Sequence, residues 1–480
     1  MLTSSHNHHF LLRIVPGVIL LLASACVDDE DAGHDPQAIH YEPGELMPGG
    51  DTTEELLLGV NAFISPAENI SPEHAQMFFS GNSFFNQAWV EAPASTKNRD
   101  GLGPLFNARS CSACHFKDGR GAPPTSQDED FLALLVRVSV PGTDAHGGPL
   151  PDPIYGLQIQ PFALPNVTPE ASPRVRYTTI EGSYADGTPY TLHEPIYSIE
   201  SPQHGALHED LLVSPRIAPQ MIGLGLLEAI PEDRLLELED IEDADGDGIS
   251  GKIQRVWDSE TASMLPGRFG WKGDAPTVRA QVAGAFLGDM GITTPVHPAG
   301  ECTESQLMCT EHIDPTALEI DPDNFDRVVL YSSLLATPKR LIRRGEEARV
   351  ARGKTLFHEA NCSACHVPSH ITSSNASLEE TRDQRIWPYT DLLLHDMGEE
   401  LSDERPVYEA SGREWKTPPL WGIGRMPSVN KHQRLLHDGR ADGVAEAILW
   451  HGGEGAPSRD AFLEMSAEER AALITFVESL

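Results

Sequence analysis

The stretch RSCSACHFKDGRG, Arg109 to Gly121, shares its centre with NCSACHVP, Asn361 to Pro368, so one chain carries the pentapeptide CSACH twice. The match extends upstream. GPLFNARSCSACH and GKTLFHEANCSACH both place Leu-Phe, then four residues, then the first cysteine, so Leu105-Phe106 answers Leu356-Phe357 and a helical unit is duplicated. C-x-x-C-H is the attachment pattern of c-type haem: both sulfurs add to the vinyl groups and the adjacent imidazole comes to lie under the iron. A zinc site needs two more ligands near each pair, and a redox dithiol gives no reason for the following histidine; either would have to arise twice. The motifs therefore predict two covalently bound haem c groups, one on Cys111, Cys114 and His115 and one on Cys362, Cys365 and His366. His115 and His366 are the expected proximal ligands. The occupant of each sixth iron position then decides between chemistry on a small oxidant and simple electron carriage.

At 480 residues the chain is long enough for more than one core, and its composition is that of a globular protein. A formal charge of −37 argues against nucleic acid or an anionic membrane as a charge partner and would steer a cationic redox partner towards the molecule. Met1 to Ala25 holds one arginine, Arg13, and then IVPGVILLLASA, an apolar run too short to span a bilayer but suited to an export signal. LLASAC resembles a bacterial lipoprotein signal in which Cys26 becomes the lipidated N-terminus, the only expected membrane attachment. That makes the chain a periplasmic or outer-membrane lipoprotein of a Gram-negative bacterium; a plain signal peptide with an incidental cysteine is the alternative. Of the remaining cysteines, Cys302 and Cys309 point to a small disulfide loop in an oxidising compartment, with metal binding the lesser alternative.

Between the two motifs the texture changes. FLALLVRVSV, RVRYTTI and YTLHEPIYSI are β-branched, aromatic-rich runs separated by Pro and Gly, and read as a small sheet inserted into the first unit. Helical patterns occupy Thr277 to Met290, Asn324 to Ala336 and Gly345 to Glu359, and a final helix opens on a Ser466/Glu469 capping box. The expected fold is mainly α: two cytochrome c-like helical haem domains with a β-rich insertion in the first. The expected divisions are a signal over 1–26, an acidic tether over 27–60, the first haem domain over 61–310 and the second over 311–480.

EWKTPPLWGIGRMPSVNKHQRLLHDGRADGVAEAILWHGGE, Glu414 to Glu454, resembles the second haem domain of the bacterial di-haem cytochrome c peroxidase and MauG superfamily. That resemblance implies an axial ligand at a set spacing after the HDG histidine, His437, and the count falls on His451, with Met397 and Met426 in reserve. A second imidazole in place of methionine implies a lower potential for this haem. FGWKGDAPTVRAQVAGAFLGDMGIT resembles the peroxidatic signature of the first domain. It implies Trp271 as an electron conduit between the haems, Gln281 in the distal pocket and Asp289 as a proton shuttle, although an aspartate stands where glutamate is expected. GLGLLEAIPE and YTDLLLHDMGEELSD place the chain nearer the di-haem oxidoreductase branch, whose members carry peroxidase or thiol-oxidoreductase labels.

DADGDGISG sets Asp243, Asp245 and Asp247 at alternate positions before Gly248, as in the first half of an EF-hand loop; Gln254 stands where the bidentate glutamate belongs. Ca²⁺ is the ion such a loop suits, and a solvated acidic turn is the alternative. The leading functional expectation is an exported di-haem enzyme that reduces H₂O₂, or uses it to oxidise a substrate, at the first haem. The second haem relays electrons from a small donor protein or quinol-linked cytochrome. The contrasting expectation is a di-haem electron-transfer lipoprotein without turnover.

Overall fold

Capping chemistry sets most of the helix starts. Ser71 accepts the His74 N–H ahead of α1 (Pro72–Asn86), which has proline in its first turn. Thr277 accepts the Ala280 N–H ahead of α2 (Val278–Met290), and Asp321 accepts the Asn324 N–H ahead of α3 (Pro322–Ser333). α4 (Glu347–Glu359), α5 (Val444–Leu449) and α6 (Ala456–Glu464) follow, and α7 (Ala467–Ser479) opens on the complete Ser466/Glu469 capping box. α2 stops at Gly291, whose φ of +65° is the left-handed conformation that glycine adopts without penalty. The computed structural model describes residues 42–314 and 317–480; the export signal, Cys26 and the tether as far as residue 41 lie outside the described residues.

Two helix pairs carry the two CSACH motifs. α1 packs on α3 at Gly81, where a Cβ would run into the Arg327 carbonyl, and the Asn86 carbonyl at the end of α1 accepts from Ser112 inside the first motif at 3.1 Å. α4 packs on α7 at Gly353, where a Cβ would meet the Ala472 carbonyl, and α4 runs directly into the second motif. Both pairs feed one continuous core that includes Trp89, Phe286, Tyr331, Trp387, Trp421 and Phe476.

The strands do more than ornament these pairs. β1 (Leu134–Thr143) pairs antiparallel with β2 (Pro149–Leu150) and β3 (Gln158–Ile159), and with a later strand, β6 (Leu212–Ile217). β4 (Ser172–Ser183) and β5 (Pro189–Glu200) form a long two-stranded ribbon. Its tip docks on the C-terminal helices: Ala185 N–H donates to Leu463 at 3.0 Å, and Arg470 pairs with Asp186 at 2.7 Å while covering the Tyr184 ring at 3.9 Å. β7 (Leu394–Asp396) and β8 (Glu414–Lys416) make a further small ladder.

The mainly-α expectation is overturned. The structure is only 29% helical, with 19% strand spread over many small sheets. The physical reason was present in the composition: 38 prolines and 41 glycines interrupt helical periodicity, so much of the chain runs as turns and short ladders. The expected strands and helices nevertheless form close to where the patterns put them, and Cys302 and Cys309 are joined as a disulfide. Among the described residues no helix is long and apolar enough to cross a membrane.

Candidate functional site

The second motif opens onto a cavity of about 1410 Å³, part of it open to solvent. Its lining includes Cys362, Cys365 and His366 and also His451, two residues past the end of α5. The His366 Nδ1–H donates to the Tyr389 carbonyl at 3.0 Å, and the His451 Nδ1–H donates to the Ala447 carbonyl, one turn back, at 2.7 Å. A ring whose Nδ1 is spent on a carbonyl presents a bare Nε2 lone pair, which is the form that ligates iron. Burial pushes His366 down to about 4 and also lowers His451, so both imidazoles stay neutral. Met397 and Met426 line the same space, and Met397 and His451 come together against Gly455.

Other metal chemistry fits less well. Cys365, Asp391 and His395 bring ligand atoms within 4.8 Å of one another. His395, however, spends Nε2 on Asp391 at 2.7 Å and Nδ1 on Glu454 at 2.9 Å. Burial alone would lower its pKa, but the Asp391 carboxylate beside it holds the imidazole well above its ordinary value, so it is charged and has no lone pair to offer. Burial pushes the Cys362 thiol up to about 12 and raises the other motif thiols too, whereas a reactive dithiol requires thiolate. The donor set and the apolar cavity fit a haem.

At the first motif, a single helical turn (Cys111–Cys114) presents His115, whose Nδ1–H donates to the Pro219 carbonyl at 2.7 Å. Burial pushes this imidazole down to about 4 as well. Asp289, one residue before the end of α2, acts electrostatically on both Cys111 and Cys114. Its carbonyl accepts the Asn107 and Ala108 N–H groups at 2.8 and 3.1 Å, and its carboxylate accepts from Gln158 Nε2 at 3.0 Å. Burial raises the Asp289 pKa, restrained by Arg137 and the Gln158 hydrogen bond. Glu301 is likewise raised by burial and feels both Arg137 and Asp289. Asp289 is half-buried, whereas Glu301 is exposed at the surface.

Trp271 joins the two regions. Its ring lines the second cavity under the Arg120 guanidinium at 4.8 Å, and its Nε1–H donates at 2.8 Å to Ile217, two residues before the carbonyl that orients His115. Ile217 in turn donates its N–H to His437 at 2.7 Å, and the His437 ring stacks on Trp415 at 3.8 Å. Gln281 is not brought into either cluster: it is half-buried near the start of α2, eight residues and therefore about 12 Å along the axis from Asp289.

In the acidic loop, the carboxylates that converge within 4.8 Å are Asp240, Asp243 and Asp245. Asp247 instead accepts from Asn361, next to the second motif, at 3.3 Å. Ile249 lines the second cavity and Ser250 donates to Glu454 at 2.7 Å, so the loop docks on the second haem region. Sequence reasoning did not find Arg137, Gln158, Glu301 or Asp240. Arg137 comes from a run read as a strand and Gln158 from a two-residue strand with no local signature, and which face met Asp289 depended on pairing across distant segments.

A family model described as "Di-haem oxidoreductase, putative peroxidase" matches residues 46–139 and 161–480. No curated protein matches the chain. Among solved structures, a chain of Kuenenia stuttgartiensis hydrazine synthase, pressurised with xenon, overlays at a TM-score of 0.29 and 10% identity, covering 87% of this chain and 93% of that one. So loose an overlay carries no argument.

Behind Asp289 stands a buried acid. Glu170 accepts the Gln160 N–H at 2.6 Å and Gln306 Nε2 at 2.5 Å, while Gln160 Nε2 donates to Gly288 at 2.8 Å. Burial pushes Glu170 from 4.5 up to about 8. Between those values the unfolded chain binds fewer protons than the folded one, so this group makes stability fall as pH rises through the window. Glu170→Gln is expected to flatten that fall, read as the difference in thermal midpoint of the holoprotein between about pH 5 and about pH 8; an unchanged difference would reject the assignment.

Proposed function

The chain belongs to the di-haem oxidoreductase family, and from that premise we propose that it is an exported c-type enzyme that reduces hydrogen peroxide near Asp289, with electrons relayed through the second haem. The observation that supports this most is an asymmetry. The second cavity is lined by two neutral imidazoles, His366 and His451, whereas the first motif lies beside a carboxyl, Asp289, able to handle protons.

Bound haem supplies a one-electron centre and, where its sixth position is open, a place to break the peroxide O–O bond. The chain's own side chains do the rest. Cys111 and Cys114 form the thioethers at the first site, Cys362 and Cys365 those at the second, and the carbonyl-tethered His115, His366 and His451 present Nε2. Reduction of H₂O₂ to two waters consumes two protons and two electrons. The Asp289 carboxyl, held above its usual pKa range by burial, delivers a proton to the departing oxygen, while Gln158 keeps the carboxyl oriented. Trp271 spans the two regions as the electron path. The donor is a small electron-donor protein or quinol-linked cytochrome, and the charge of −37 favours a cationic one. In the acidic loop, Asp240, Asp243 and Asp245 hold Ca²⁺ and brace the second site.

Asp289→Asn is expected to cut peroxide turnover by about 10²- to 10⁴-fold while two haems per chain remain by pyridine haemochrome assay. Unchanged turnover would remove Asp289 from the reaction, and a wild-type holoprotein inert to peroxide would select the electron carrier instead. His451→Met should raise the potential of one haem in a spectroscopically monitored reductive titration, because thioether ligation favours the reduced iron relative to imidazole; unmoved potentials would assign that iron to another residue. Chelation of Ca²⁺ should lower the thermal midpoint of the holoprotein, and calorimetry showing no Ca²⁺ uptake would leave the loop a solvated turn.

A further inference from the structure

Lys416, at the end of β8, lines the second cavity with only 7% of its surface accessible. Its backbone N–H donates to the carbonyl of Trp271, another residue of the cavity lining, at 2.9 Å. Among the described residues its ammonium has no ion pair and no hydrogen bond. Lys272, also buried, shows how the protein treats such a group otherwise: it pairs with Asp403 at 3.0 Å and donates to the carbonyls of Ser411 and Gly412 at 2.6 and 3.0 Å. Asp391 and Asp274 act on Lys416 electrostatically without coming into contact, and burial pushes its pKa down to about 8. An ammonium that borders the cavity with no contacting carboxylate of its own leaves a place for an anion there. Arg120, 5% accessible on the same cavity, has its Nε without a partner as well.

Haem c brings such anions: thioether bonds hold its vinyl-derived edge, and two propionate carboxylates leave from the opposite edge. Cys362 and Cys365, at the single turn Cys362–Ala364, line the same cavity as Lys416. We propose that the Lys416 ammonium pairs with a propionate of the second haem and thereby raises that haem's potential. The proposal rests on the reading that this cavity takes a haem c, and adds the residue that holds its anionic arm. Removing a fixed positive charge beside the porphyrin disfavours the added electron, so the potential falls when the lysine is neutralised.

The test uses full-length holoprotein from cytochrome-maturing cells, with Lys416→Met, Lys416→Gln and Lys416→Arg. Haem content by pyridine haemochrome comes first: fewer than two haems in the wild type would sink the two-haem reading itself. With two haems bound in every variant, Lys416→Met should lower the potential of one haem by about a tenfold change in its ferrous-to-ferric ratio, ~59 mV for one electron, and leave the other haem unmoved. Lys416→Gln serves in the same way should the methionine variant not fold, and Lys416→Arg should stay near wild type. Resonance Raman propionate-bending bands should shift in the neutral variants only. Unchanged potentials and unchanged propionate bands in the neutral variants would overturn the pairing.

Discussion

A histidine that is to hold an iron must commit its other nitrogen. At both CSACH motifs this is done by a backbone carbonyl: His115 donates Nδ1–H to Pro219 and His366 donates to Tyr389, at 2.7 and 3.0 Å. The carbonyl selects the tautomer and the ring angle, and burial keeps each imidazole neutral, so Nε2 keeps its lone pair; at His366 the ring lines the second cavity. Everything else is arranged around delivering those two carbonyls. In the second unit the carbonyl lies 23 residues past the histidine; in the first it lies 104 residues past it. The longer excursion is where β1 to β6 form, and β6 ends at Ile217, two residues short of the required carbonyl.

That return strip also explains how the two motif regions communicate. Within a few residues, Ile217 accepts from Trp271 and donates to His437, Ala218 donates to Ala133, and Pro219 orients His115. A change in how Trp271 sits would thus reach the carbonyl that orients His115 through covalent neighbours. Trp415 reinforces the same wall, stacked by His437 and covered by the Lys272 ammonium at 4.3 Å. Desolvated cation–π contacts of this kind contribute about 1–2 kcal/mol each and stiffen an aromatic wall without adding volume to the cavity.

How much of this was legible beforehand follows from interaction range. The CSACH motifs, the Ser466/Glu469 cap, the Cys302–Cys309 bridge and the main helices are set by residues within a turn or two of one another, and could be read directly. The site's walls could not. Gln158 reaches Asp289 because β1 pairs with β3 in one register, and a slip of one residue would turn Gln158 to the other face. The mainly-α expectation failed for a related reason: helices announce themselves by local periodicity, whereas the two-residue ladders that make up many of the sheets here have no local signature. In the acidic loop, spacing suggested Asp243, Asp245 and Asp247, but the turn brings Asp240 in and sends Asp247 to Asn361.

The charge distribution completes the logic. The chain carries 72 acidic against 35 basic residues, yet the interior around the second cavity holds Arg120, Arg216, Lys272, Arg405 and Lys416, all nearly inaccessible. Asp403 lies beside both Arg216 and Lys272, and the Arg405 guanidinium donates to Val138. In a protein so rich in carboxylates, Lys416 has none in contact, and Asp391 and Asp274 act on it only from a distance. A ligand that fills the cavity and meets that charge would add its binding free energy to the folded chain, and with it to the α4–α7 pair on which the second motif is built.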